Sequence, residues 1–182
     1  LIDRFAQQGS ADLVRDFTFV YPLRVFTEIL GLPPDEVETF HHWAIDLSHV
    51  ASDPECGLRA SANMKDYLAP IVEHKRTQPG DDLISTWLHA TIDGEPLPPA
   101  AIVHEVGLFI AGGAETTRTA ISHGLAAFAQ HPEQWEALAA DPDLVPGAVE
   151  EVLRWVTPLN NFFRRAASDD RIGDQPIERG DR

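Results

Sequence analysis

Between Phe109 and Ala120 the chain reads FIAGGAETTRTA. An acid, Glu115, and an alcohol, Thr116, stand side by side just after a glycine pair, Gly112 and Gly113. An acid beside a hydroxyl can pass protons to a reacting group. Glycines leave bare backbone on one side of a helix, so a flat or small molecule can come close. Each glycine costs roughly 1 kcal/mol against alanine inside a helix. Close packing of a second helix is the plain explanation for accepting that cost. Two features point to chemistry instead. Thr116 comes four residues after Gly112, so its hydroxyl can bond back to the Gly112 carbonyl and loosen the turn, and widened turns of this kind accompany functional sites. Glu115 falls in an apolar stretch, where a lone carboxylate is costly. A phosphate-cradling loop does not fit, because no G-x-x-x-x-G-K-[ST] occurs and no strand precedes the glycines.

The elements that must carry these residues are helical. Pro, Gly, Asp and Ser clusters cut the chain into pieces with apolar residues at helical spacing. Leu1 to Gln8 reads as a helix end closed by Gly9. A helix with a break near Pro22 stops at Gly31. Another begins at the prolines and acids of PPDEVETFHHWAIDLSHV, which ends at Val50. SDPECG reads as a loop, with Asp53 a turn residue, and a long helix covers Leu58 to Arg76. Asp81 and Asp82 open a short helix ending at Ala90. IDGEPLPPAA is a turn-rich connector. The motif lies on the longest helix, Ala100 to Ala129. Short helices come next, over Pro132 to Ala140 and Ala148 to Trp155. After Pro158, breaks at Gly173-Asp174 and Gly180-Asp181 point to small strands. The expected class is mainly α, one domain over residues 1–182, with a small β segment at the C-terminal end.

Composition bounds the function. With 182 residues, 43% of them apolar, the chain can bury a core and is not generally disordered. Against 14 Lys and Arg stand 29 acids, a formal charge of −15, which argues against nucleic acid. No apolar run is long enough for a membrane helix, and the N-terminal residues lack the layout of a signal peptide. The single cysteine, Cys56, allows no internal disulfide and no multi-cysteine metal site. A reducing, cytoplasmic setting is expected. Without an initiator Met, the chain is expected to be an internal piece of a longer one. Among the histidines, His41, His42 and His49 are close in sequence, yet adjacent His41 and His42 point different ways on a helix, so no zinc site is expected. His123 and His131 are expected to cap or line helix ends. Trp43, Trp87, Trp135 and Trp155 are expected in the core or between helices.

AGGAETT, Ala111 to Thr117, resembles the central-helix motif Ala/Gly-Gly-x-Asp/Glu-Thr of the cytochrome P-450 family, the haem-thiolate monooxygenases. A second family signature, Glu-x-x-Arg, is matched by Glu151 and Arg154 in EEVLRW. Alone, that pair is an ordinary surface contact worth a few tenths of a kcal/mol. After HPEQWEAL and VPGAVEE it carries more weight. The tail from Phe162 resembles the family's strand segment, and the upstream helices look like those of bacterial members. The resemblance implies a partial cytochrome P-450 fold built around the central helix at about 100–129, with haem b as cofactor. Glu115 and Thr116 correspond to the acid-alcohol pair that delivers protons for cleavage of dioxygen. Gly112 and Gly113 correspond to the groove for dioxygen over the haem, with Leu108 and Ala111 facing haem and substrate. Arg164 matches the arginine that pairs a haem propionate, with Arg165 its neighbour and rival. Leu159, Asn160 and Asn161 fall on a segment that lines the substrate pocket. Glu151 and Arg154 look structural, anchoring the core behind the haem.

The family's iron-ligating loop, Phe-x-x-Gly-x-x-x-Cys-x-Gly, is absent from these residues, so no metal ligand is assigned and the 182-residue chain alone is expected to be inactive. The implied activity is hydroxylation of a small apolar molecule, terpene- or sterol-like, with electrons from a ferredoxin or flavin reductase. Two readings compete. One is a non-catalytic helical module that binds a hydrophobic ligand or a partner. The other is an unrelated helical protein in which AGGAETT serves packing alone.

Overall fold

A computed structural model describes residues 1–49 and 52–182, the side chains of Asp35 and Ser48 apart. Near the N-terminus, Ile2–Arg4 forms a single 3-10 turn where a helix end was expected; it ends at Phe5, not at Gly9, which takes its positive φ four residues further on. A π-helical turn over Val14–Thr18 leads into helix α1, Val20–Leu30. The break expected near Pro22 is this π turn, upstream of it. Pro22 itself sits in the first turn of α1, where proline is tolerated. Gly31, at φ 65°, ends α1. Its N–H bonds to Glu28 O and that of Leu32 to Thr27 O, a Schellman closure that favours glycine.

Helix α2 covers Val37–Ser48; the end expected at Val50 lies outside the described residues. Helix α3 runs over Pro54–Thr77, four residues earlier than expected. Asp53 is its N-cap, accepting from the N–H groups of Glu55 and Cys56 at 3.1 and 3.2 Å. Asp-Pro therefore starts a helix here, because the carboxylate satisfies free N–H groups and Pro54 needs none. Asp82 caps α4, Leu83–His89, in the same way. The connector expected to hold only turns contains a hairpin: β1, Thr91–Ile92, pairs antiparallel with β2, Glu95–Pro96. Asp93 and Gly94 turn it at φ 53° and 85°, the positive-φ pair of a tight hairpin.

Helix α5, Pro99–Gln130, is the longest element. Its Ile102, Val106, Ile110 and Ala114 are buried in a row, since residues four apart share a helix face. That row packs with Leu23, Phe40, Met64 and Ile84 of α1 to α4 in one core. His131 joins α5 to α6, Pro132–Ala140. Helix α7 is Val145–Val156. The tail forms a hairpin of β3, Asp170–Ile172, and β4, Gln175–Ile177.

Neither α6 nor α7 has a buried residue. Trp43 is in the core and Trp87 packs on it, but Trp135 and Trp155 are 53% and 67% exposed. Trp135 of α6 nonetheless meets Phe128 of α5 edge to face with centroids 5.6 Å apart, between helices as expected, whereas the exposed Trp155 departs from the expectation.

Candidate cofactor and proton-transfer site

The site residues on α5 divide by the direction in which the helix presents them. Thr116 Oγ1 donates to the Gly112 carbonyl at 2.7 Å, the expected back-bond. The turn does not widen: α5 is α-helical throughout, and the π turn of the described residues is the one at Val14–Thr18.

The two glycines have different surroundings. A Cβ built at Gly113 would run into the Phe26 ring of α1. Gly113 therefore serves close helix packing. At Gly112 a Cβ would meet nothing within 4 Å. Leu108, one turn earlier, is 60% exposed, and Ala111 is half-buried. Leu108 and Gly112 open onto a groove of about 330 Å³ lined also by Phe26, Trp87, Glu105 and Phe109. Thr116 and Thr117 open onto a second groove, of about 570 Å³, walled by the apolar sides of α6 and α7.

Glu115 is not the lone carboxylate that the apolar stretch implied. Arg118, one turn on, donates to its Oε2, and both side chains are about one-third exposed, at 32% and 34%. The Arg118 Nε is buried without a partner. His41 of α2 faces this pair with its ring 4.1 Å from that of Phe19, centroid to centroid. Burial pushes its imidazole below the ordinary value; Glu115 opposes this, while His42 and Arg118 add to it. The acid, the arginine and the histidine thus form one polar cluster where α2 meets α5. Arg118 and His41 were missed as site residues. The signal for Arg118 was present, since Glu115 to Arg118 is itself Glu-x-x-Arg.

Pro158 lines the larger groove. Leu159, Asn160, Asn161 and Arg164 are exposed. Arg164 Nη1 donates to the Phe163 carbonyl at 3.2 Å, which leaves most of its guanidinium available to an anion. Glu151 and Arg154 form a two-pronged pair at 2.6 and 2.7 Å. The hydrogen bonds between them, helped by their opposite charges, hold the Glu151 carboxyl below and the Arg154 guanidinium above its ordinary value. Both are exposed, so among the described residues they anchor each other, not a core. The Cys56 thiol donates to Asp46 Oδ1 at 3.0 Å. That bond, with burial, raises the thiol above its usual value, the reverse of what a thiolate ligand needs.

The open Gly112 backbone, the exposed apolar Leu108 and the adjacent hydroxyl can accept a flat apolar ring system beside α5. An arginine such as Arg164 suits a carboxylate on that ring's rim.

Comparison with known proteins shows the family of the chain. The family model described as Cytochrome P-450 matches residues 56–182. Cytochrome P-450 107B1 of Saccharopolyspora erythraea is 37% identical over 182 residues, all of this chain and 45% of that protein. A steroid C26-monooxygenase of Mycobacterium tuberculosis is 36% identical over 175 residues, 93% of this chain and 47% of that one. The crystal structure of CYP109E1 from Bacillus megaterium in complex with testosterone matches with a TM-score of 0.85 and 27% identity, over 99% of this chain and 50% of that one. The chain thus spans about half the length of these relatives.

Proposed function

The chain belongs to the cytochrome P-450 family, whose members use haem, and on that premise we propose that it is part of a haem-dependent monooxygenase. The observation that carries this reading is the pairing of an open glycine with a polar cluster on one helix. Gly112 leaves α5 bare where a ring could lie, and Glu115 and Thr116 come within about one turn of it.

Haem, when bound, supplies the redox chemistry that activates dioxygen. The roles of this chain's residues are binding and proton handling. Leu108, Ala111 and Gly112 form the apolar seat, and Gly113 lets α5 lie close to Phe26. Arg164 holds an acidic edge of the cofactor. Thr116 keeps its proton directed at the Gly112 carbonyl until an oxygen nearby is the better acceptor. Arg118 fixes the Glu115 carboxylate; Glu115, about one-third exposed, takes up a proton from solvent water and passes it on to the hydroxyl. Leu159, Asn160 and Asn161 line the substrate side.

The substrate is a small apolar molecule, terpene- or sterol-like. The steroid monooxygenase relative and the testosterone-bound structure support that class. Electrons come from a ferredoxin or a flavin reductase. A single cysteine held as a thiol suits a reducing, cytoplasmic setting. Among the described residues no helix is long and apolar enough to cross a membrane. The 182-residue chain alone does not turn over, because its one thiol is bonded to Asp46 and no other cysteine is present in it.

The test is oxygen uptake and product formation by the full-length, haem-loaded protein with testosterone and a ferredoxin system. Hydroxylated product in wild type, with oxygen consumed without product in Thr116→Ala, supports the reading. Product yield unchanged in Thr116→Ala removes it.

A further inference from the structure

The polar cluster at Glu115 contains a base to which the monooxygenase reading gives no task. His41 of α2 is half-buried. Among the described residues its ring nitrogens make no hydrogen bond, whereas Nδ1 of the neighbouring His42 donates to the Glu38 carbonyl at 2.7 Å. Three contacts fix where the His41 ring sits. Helix α2 packs along α5. Thr18, fully buried at the end of the π turn, shares a hydrogen bond of 2.6 Å with the Ser122 hydroxyl of α5. Ser122 comes one turn after Arg118 and two after Glu115, on the same side of the helix. Phe19, next in the chain to Thr18, brings its ring to 4.1 Å from that of His41, at 64°. The imidazole therefore lies against Phe19 and within electrostatic reach of Glu115 and Arg118 on α5 and of His42 on its own helix. The Arg118 Nε–H, buried without a protein partner, is the kind of group that an ordered water satisfies.

An imidazole with free nitrogens beside a carboxylate has a definite use. Water alone is a weak acid at neutral pH and refills a carboxylate slowly. An imidazole titrates near neutrality, and a donor matched to the working pH transfers its proton best, directly or through one water. Burial, the largest influence, favours the neutral ring; Glu115 opposes it, and His42 and Arg118 add to it. The charged ring is thus a readier proton donor than an ordinary histidine, and it is populated as pH falls below neutral.

We propose that His41 is the proton donor behind Glu115: its imidazolium gives a proton through one water to the Glu115 carboxylate, and the neutral ring takes the next from bulk solvent. This rests on the monooxygenase reading and names the route by which its acid is recharged.

The experiment uses the full-length, haem-loaded protein and two readouts. The first is the pH profile of product formed per dioxygen consumed, with testosterone and a ferredoxin system. Wild type is expected to gain about threefold or more from about pH 8 to about pH 6. His41→Gln should stay flat near the wild-type value at the alkaline end. The second is NMR titration of isotope-labelled histidines, with His41 identified by the signal lost in His41→Gln. Its imidazole is expected to titrate below the ordinary value of about 6.5, and lower still in Glu115→Gln, where the opposing carboxylate is gone. Should His41→Gln fail to fold, His41→Asn takes its place. Equal pH slopes in wild type and variant, or a His41 titration indifferent to Glu115→Gln, overturns the proposal. Product formed by wild type without these effects leaves the monooxygenase reading standing. No product, with the titration linkage intact, removes that reading and the relay with it.

Discussion

Glu115 and Arg118 hold each other across one turn of α5, so the acid of the AGGAETT motif is a paired carboxylate. Partly exposed ion pairs are worth about 0–1 kcal/mol, and proton transfer by a positioned side chain is worth about 10²–10⁴ in rate. The two scales separate a structural from a chemical role. Glu115→Gln should barely move the melting temperature and should lower product formation by the full-length protein about 100-fold. Thermal melts and turnover measured on the same preparation decide it. A large loss of stability with turnover intact would make Glu115 structural.

The adjacent glycines should respond in opposite directions to one added methyl group. Gly113→Ala drives a Cβ into Phe26 and should cost about 1–3 kcal/mol through overpacking. Gly112→Ala meets open space and should gain up to about 1 kcal/mol from helix propensity. Denaturant titration of both variants measures the contrast.

The Lys75–Asp82 pair should be the pH-sensitive clamp of the fold. Its side chains are 11% and 4% exposed and 2.6 Å apart, where the ends of α1, α3 and α4 meet. A Cβ at Gly31 would come within 2.6 Å of both partners. Burial works against the Asp82 charge. The Lys75 bond and the Ser85 N–H and hydroxyl outweigh it and hold the carboxyl below its usual range. A carboxyl with a lowered folded-state value stabilises fully above its unfolded value, about 3.9, and loses that contribution as pH falls through the lower one. Asp82→Ala should cost about 3–5 kcal/mol at neutral pH, leaving Lys75 buried without a partner. The gap between wild type and Asp82→Ala should shrink below about pH 4, as pH-dependent urea melts would report.

Asp53 gives a smaller and local effect. Removing its carboxylate frees the N–H groups of Glu55 and Cys56, so Asp53→Ala should cost about 1 kcal/mol. Amide exchange should rise in the first turn of α3 and stay unchanged in α5.

Much of this architecture was legible in the residues, for reasons that differ by element. Helix α6 starts at Pro132 and ends at Ala140 as expected, because HPEQ and ADPD punctuate it clearly. Helix α5 was equally readable from its apolar row and its length. Asp53-Pro54 was misread because the same dipeptide opens a turn or a helix, and the residues after it decide between the two. The β1–β2 hairpin was missed although Asp93-Gly94 is a strong hairpin signal, because strands of two residues have no periodicity to read. The roles of Gly112 and Gly113 were joined in one expectation. Only Phe26, far away in the chain, separates them. Arg118 was overlooked where Arg154 was noticed, although both come three residues after a glutamate. The exposure of Trp135 and Trp155 had no local signal, since it depends on what packs against α6 and α7.

The proposed seat of haem on the open face of α5 is best tested by haem content. Full-length wild type, Gly112→Ala and Gly112→Leu would be purified, shown to be folded by circular dichroism, and assayed for bound haem by absorbance. Equimolar haem in wild type, less in Gly112→Ala and none in folded Gly112→Leu is the predicted result. Equal haem in all three proteins would contradict a cofactor lying against Gly112.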